Sequence, residues 1–184
     1  MPDTMKDAEE RMSKAMEALR RDLSTVRTGR ASPGLLDRVT VDYYGTNTPL
    51  NQLAGISVPE PRMLVVQPWD RGSIGAIEKA IQRSELGLNP SSDGQVIRLA
   101  IPALTEERRK QLVKTVHQLT EEGKVSVRNI RRDAMDHVRK MLTDKQVSED
   151  DERRAEHQLD DLTKKFTDEA DRIGKAKEHE VMEV

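Results

Sequence analysis

The chain has 184 residues with 31 Lys and Arg against 33 Asp and Glu, so its net charge of −2 provides no overall positive field to attract an acidic partner. Charged residues make up 35% of it and aromatics 2%, a balance that favours long solvated helices over a thick globular core, and the absence of cysteine excludes disulfides, thiolate nucleophiles and sulfur-based zinc sites. No stretch approaches the roughly 20 apolar residues that cross a bilayer, and the opening MPDTMKDAEERM lacks the apolar centre of a secretory signal, so a soluble cytoplasmic protein is expected.

Over residues 3–28, Met5, Ala8, Met12, Ala15, Leu19, Leu23 and Val26 recur at three and four, the stripe of an amphipathic helix capped by Asp3 or Thr4. TGRASPG then breaks it with Gly29, Pro33 and Gly34. Between residues 35 and 102 the period shortens. Val39, Val41 and Tyr43 alternate as in a strand, and Tyr44-Gly45-Thr46-Asn47 turns the chain. MLVVQ (63–67) predicts a second strand, Ser73 a cap for a short helix carrying Ile74, Ile77 and Ile81, and QVIRLAI (95–101) the last strand. LGLNPSSDG predicts a loop, and Trp69 at a strand end predicts a packing residue.

After Pro102 the helical period returns. Thr105 caps a helix whose stripe runs through Leu112, Val116, Leu119, Gly123, Val127, Ile130, Ala134, Val138 and Met141, about 35 residues or roughly 50 Å. Ser148 with Glu149, Asp150 and Asp151 opens another, with Leu159, Leu162, Phe166, Ala170, Ile173 and Val181 on its inner side. None of these helices can bury its stripe alone, and the simplest solution packs the three together. The expectation is an α+β protein: an elongated three-helix bundle (residues 1–29 and 105–184) with a small β/α/β domain (residues 30–104) inserted, as an L-shaped, two-armed particle. The crossings, at Arg30, Ala31, Ser32 and Pro33 and at Pro102, Ala103 and Leu104, are the expected hinge.

Nothing in the chain assembles an active site. Gly72 and Gly75 lack the context of a phosphate loop, the four histidines are scattered, and Asp133 with His137 offers two metal ligands and no third. Asp150-Asp151 and Asp160-Asp161 are expected on solvated faces, the first pair complementing a helix N-terminus. No catalytic residue, metal or cofactor is expected.

The second long helix, however, carries VRNIRRDA (127–134). Lys124, Arg128, Arg131, Arg132 and Arg139 fall within a sector of about 100°, turned away from Val127, Ile130 and Ala134. Like charges at this spacing repel, so stability alone does not explain them. Guanidinium groups on a rigid helix suit phosphates, and an arginine-lined edge can follow an A-form RNA groove without base-stacking aromatics. Arg27 and Arg30 add a second basic spot at the bend. The alternative is a face neutralised by neighbours, for which Asp136 and Glu121 are available, although arginines outnumber the acids within the run.

The chain resembles the ribosome recycling factor family from end to end. The resemblance is carried by RTGRASPGLLD (27–37), VDYYGT (41–46), EKAIQRSELGLNP (78–90), LTEERRKQL (104–112), VRNIRRDA (127–134) and SEDDERR (148–154). It implies a three-helix bundle with an inserted β/α/β domain, joined by a hinge and shaped roughly like a transfer RNA. It also implies a monomeric, non-enzymatic factor that binds the ribosome through large-subunit ribosomal RNA and, with elongation factor G and GTP, separates the subunits. By motif position the RNA contacts carry over to Arg128, Arg131 and Arg132, with Arg27 and Arg30 near the hinge; Lys124 joins them through its place in the same helix sector, and Arg131 is the foremost candidate. A helical adaptor for a protein partner, or a hydrolase using Ser91, Ser92 and Asp93, are the competing classes.

Overall fold

The computed structural model describes residues 2–183. The chain divides into two compact units, Met1–Thr28 with Thr105–Val184, and Gly29–Leu104. Gly29 therefore groups with the second unit, one residue before the expected start of the insertion.

The first unit is three helices: α1 (Pro2–Ser24), α3 (Glu106–Thr143) and α4 (Glu149–Met182). Each buries one stripe: Ala8, Met12, Met16, Leu19 and Leu23 from α1, Leu112, Val116, Val127, Ile130, Ala134, Met135 and Val138 from α3, and Ala155, Leu159, Phe166, Ala170 and Val181 from α4. Pairing sets the directions. Arg11 reaches Asp133 and a Cβ on Gly123 would touch Leu19, so α1 and α3 are antiparallel. Arg131 to Asp160 and Lys124 to Asp171 make α3 and α4 antiparallel as well.

Two departures from the predicted stripes mark where helices come closest. Thr120, not Leu119, is buried on α3, with its hydroxyl satisfied by the Val116 carbonyl at 2.8 Å. Across from it stands Gly174 on α4, where a Cβ would overlap Thr120 Oγ1. Asp133 is not free for His137 either, since Arg11 Nη2 holds it at 2.8 Å.

The helix ends follow from local chemistry. Thr105 Oγ1 accepts from Arg108 N–H, and Ser148 and Asp151 form a reciprocal capping box. Those hydrogen bonds, from the Ser148 backbone first, hold the Asp151 carboxyl below its ordinary range. Between α3 and α4 the chain reverses through a Schellman turn: Lys145 N–H donates to Leu142 and Gln146 N–H to Met141, with Lys145 at φ +56°. A lysine occupies the place where glycine usually announces a helix end.

The second unit has more strands than the predicted β/α/β pattern. β1 (Thr40–Tyr43) and β2 (Thr46–Pro49) form a hairpin whose two-residue turn, Tyr44-Gly45, takes positive φ at both positions. β3 (Ala54–Glu60), β4 (Met63–Pro68), β5 (Pro90–Ser92) and β6 (Ile97–Ala100) make a four-stranded antiparallel sheet in the order β3-β4-β6-β5. Helix α2 (Ile74–Arg83) presses Ile77 and Ile81 into a core with Leu36, Val41, Leu50, Leu64, Val66, Ile97 and Leu99. The unpredicted strands are edge or ribbon strands with little burial to produce an alternating pattern, and β3 carries Pro59 beside its register shift.

Two local expectations are corrected. Ser73 does not cap α2, because its hydroxyl donates to the Asp70 carbonyl, and it is Asp70 that caps the preceding turn by accepting from Gly72 N–H. Trp69 is 71% exposed, so it is not a packing residue.

Two outcomes follow from these close contacts. Gly174→Ala destabilises the bundle by about 1–3 kcal/mol through overpacking, and Thr120→Ala in the same chain recovers most of the loss, as read by urea unfolding of both single variants and the pair. Lys145→Gly removes left-handed strain and raises stability by about 1 kcal/mol in the same measurement.

Candidate nucleic-acid interface

Helix α3 spans 38 residues and holds the cationic run along the flank of its buried stripe, with Met135 buried inside the same sector. The packing that buries Val127, Ile130 and Ala134 obliges the intervening positions to face outward. Arg128 and Arg132 are exposed, while Arg131 and Lys124 are half-buried against α4.

The structure pairs this face more fully than the run itself suggests. Arg131 directs Nε and Nη2 at Asp160 Oδ1, at 2.7 and 2.6 Å. Lys124 Nζ donates to Asp171 Oδ1 at 3.1 Å, and Arg128 Nη1 to Glu121 Oε1 at 2.9 Å. Arg139 lies 3.6 Å from Asp136 and 4.0 Å from Glu152. Asp136 thus turns to Arg139 rather than to Arg132. Of the five cations, Arg132 is the one with no carboxylate or hydrogen-bond partner among the described residues.

Three of these acids, Glu152, Asp160 and Asp171, come from α4, so Asp160 is more than the surface acid expected of it. Counting acids within α3 could not find them, because only the antiparallel register of α3 and α4 brings them opposite the run. The pairs remain at the surface, where each contributes roughly 0–1 kcal/mol, so a stronger polyanion can displace the carboxylates. The face offers one open guanidinium at Arg132 and, beside it, guanidinium groups held in place by weak partners. Lys124 has only 20% of its side chain exposed and is the least available.

Arg27 lies past the end of α1, and the antiparallel register carries it away from Arg131 by on the order of 20 Å at the helical rise. It has no partner among the described residues. Arg30 falls in the second unit and is exposed. The bundle therefore gathers Lys124, Arg128, Arg131 and Arg132 and does not bring Arg27 to them.

All seven expected hinge residues belong to the second unit. Ala31 N–H donates to Pro61 at 2.7 Å and Pro33 opens a short 3-10 turn, Pro33–Leu36, which ties that side of the crossing to its own unit. Gly29 takes φ +75°, and a Cβ there would sit 3.1 Å from Leu104 Cγ.

The remaining candidates resolve into structural chemistry. Asp93 Oδ1 accepts from Gln95 and Val96 N–H, and Oδ2 from Arg98, while Ser92 Oγ accepts from Gly94 N–H. Those backbone donors hold the Asp93 carboxyl down to about 2. This is a turn built around a carboxylate, which leaves neither serine a base. No group of His, Asp or Glu among the described residues could hold a metal ion, and no helix among them is long and apolar enough to cross a membrane.

The sequence profile described as ribosome recycling factor matches residues 19–182. The chain belongs to the ribosome recycling factor family. It is 58% identical over 182 residues to the ribosome-recycling factor of Thermomicrobium roseum, covering 99% of this chain and 98% of that one. It is 56% identical over 185 residues to the Brevibacillus brevis protein of the same name, with 100% of both chains covered. Among solved structures it is similar to a solution structure of the ribosome recycling factor, with TM-score 0.73 and 45% identity over 100% of this chain and 97% of that one. A second likeness, TM-score 0.62 and 46% identity over 99% and 98% of the two chains, is to models of the T. thermophilus ribosome recycling factor and E. coli elongation factor G bound to the E. coli post-termination complex. The family expected from the six motifs is the one found, and so is the α+β class. Its members are translation factors, not enzymes.

Asp160→Ala separates positioning from stability. It changes the free energy of urea unfolding by no more than about 1 kcal/mol, because an exposed pair contributes little, while it releases the Arg131 side chain, visible as a shifted and broadened Nε–H resonance.

Proposed function

We propose that the protein recycles ribosomes. After peptide release it binds the ribosome through large-subunit ribosomal RNA and, with elongation factor G and GTP hydrolysis, separates the two subunits. The observation that carries this reading is the match of the whole chain, bundle and inserted unit in the same order, to ribosome recycling factors. It acts in this reading as a monomer in the cytoplasm.

The α3 face is the anchor. Arg132 engages a phosphate directly, and Arg131 and Arg128 exchange Asp160 and Glu121 for phosphate oxygens. The exchange is favourable because the carboxylate pairs are weak in water, whereas each phosphate neutralised releases condensed counterions. Lys124 supports the face from its half-buried position, Arg27 meets the same extended RNA farther along the bundle, and Arg30 is an RNA contact of the second unit. Such contacts fix position and provide most of the affinity, without reading sequence.

The long helices give the anchor stiffness, and the crossings at Arg30, Ala31, Ser32 and Pro33 and at Pro102, Ala103 and Leu104 let the second unit move under load. Because Ala31 and Pro33 are tied into that unit, and Thr25 and Val26 are hydrogen-bonded to the end of α1, the bending falls mainly on residues 27–29 and 102–105. A motor can then push one arm while the other stays attached.

The test is subunit separation on post-termination ribosomes, which requires this protein, elongation factor G and GTP together. Arg132→Ala and Arg131→Ala each weaken large-subunit binding and lower the slope of log K against log salt by about one unit, with helicity unchanged. Asp160→Asn, which removes the competing charge, tightens binding. Separation without elongation factor G, or salt slopes unaltered in both arginine variants, would refute the scheme.

A further inference from the structure

The second unit carries a cationic groove of its own. One wall is the outer edge of α2 and the other is the segment that leads into β1, and together they enclose about 690 Å³. Lys79 and Arg83 line the α2 wall one helical turn apart, about 6 Å along the axis. Arg38 faces them from the other wall. All three are exposed, and none has an ion pair or side-chain hydrogen bond among the described residues. One carboxylate shares the groove, that of Asp42, and it is engaged by Gly45 N–H at 3.0 Å.

This contrasts with the bundle, where most cations of α3 and α4 meet acids from a neighbouring turn or helix. Three unpaired like charges lining one concavity repel one another, and an anion between the walls relieves that repulsion. The floor is small and shallow: Ala76 and Ala80 from α2, with Val39 buried beneath.

The groove therefore offers charge on two sides and no anchor for a large apolar side chain. Protein interfaces draw most of their energy from buried aromatic and aliphatic anchors, and the exposed aromatics of this unit, Tyr44 and Trp69, do not line this groove. A nucleic-acid backbone needs no such anchor, since it binds through phosphates and counterion release. Two of the three cations are guanidinium groups, whose planar donors match phosphate oxygens.

We infer that the groove between α2 and β1, lined by Arg38, Lys79 and Arg83, is a second RNA-backbone site, separate from the α3 face and located on the inserted unit. It holds phosphates on both sides of a strand and does not discriminate bases. During subunit separation it gives the second unit an RNA contact independent of the bundle.

The test titrates the full-length, ¹⁵N-labelled protein with a short A-form RNA hairpin and, separately, with an oligoglutamate peptide. The RNA is expected to shift amides of Arg38, Gly75, Lys79 and Arg83 saturably, with an affinity that falls as salt rises. Lys79→Gln with Arg83→Gln should lower that affinity on the order of tenfold. The shifts around Arg132 should persist, so failure of this site is distinguishable from failure of the α3 anchor. Arg38→Gln, on the opposite wall and away from the helix, should give a smaller loss in the same direction, which guards against a folding defect in α2. Equal or larger shifts with oligoglutamate would assign the groove to an acidic protein instead. RNA-induced shifts confined to α3, or groove shifts insensitive to all three substitutions, would also overturn the inference.

Discussion

The close approach of α3 to both of its partners governs the bundle. Gly123 admits Leu19 of α1, and Gly174 of α4 admits Thr120, so α3 lies between two helices with no room for an extra methyl at Gly174 and little at Gly123. Contacts this tight fix rotation as well as distance. Once Val127, Ile130 and Ala134 are committed inward, the arginines between them are held along the flank of that stripe, exposed at Arg128 and Arg132 and half-buried against α4 at Arg131. The same register brings Asp160 beneath Arg131 and Asp171 beneath Lys124. The arrangement of this cationic face is thus a consequence of the packing beside it.

The carboxylates on that face resolve the conflict raised by crowding arginines on one helix. Left unpaired they would repel, and buried in strong pairs they would be unavailable. Partners at the surface, Glu121 and Asp136 on α3 itself and Asp160 and Glu152 borrowed from α4, hold them at intermediate strength, enough to order the side chains without locking them away. Arg132, without such a partner among the described residues, is open from the start. The inserted unit follows a different rule: its core comes from a sheet and one helix, and Arg38, Lys79 and Arg83 are left without acids among the described residues. The bundle thus balances much of its positive charge with its own acids, whereas these three cations of the inserted unit have no such partner among the described residues.

The three long helices were legible in the sequence because each must hide one stripe along tens of residues, and a three-and-four period sustained that long fits a helix and no strand or loop. Thr105 and Ser148 marked two helix starts through the oxygen each places over orphan N–H groups. The end of α3 was not marked, because Lys145 adopts the left-handed conformation that glycine would have advertised. In the inserted unit, the central strand β4 was readable and the strands β2, β3 and β5 were not, since they are short, polar or interrupted by proline and bury too little to alternate.

The amino-acid order by itself determined the class of fold, the two crossings of the chain and the location of the arginine run, since all three depend on local periodicity and on residues near one another in sequence. Only the tertiary structure decided which arginines have partners, because Asp160 and Asp171 lie 29 and 47 residues from the cations they hold. It likewise decided that Arg38 stands across a groove from Lys79 and Arg83, and that Trp69 faces solvent. Charge pairing and concavity are properties of surfaces brought together by packing, and no spacing along the chain encodes them.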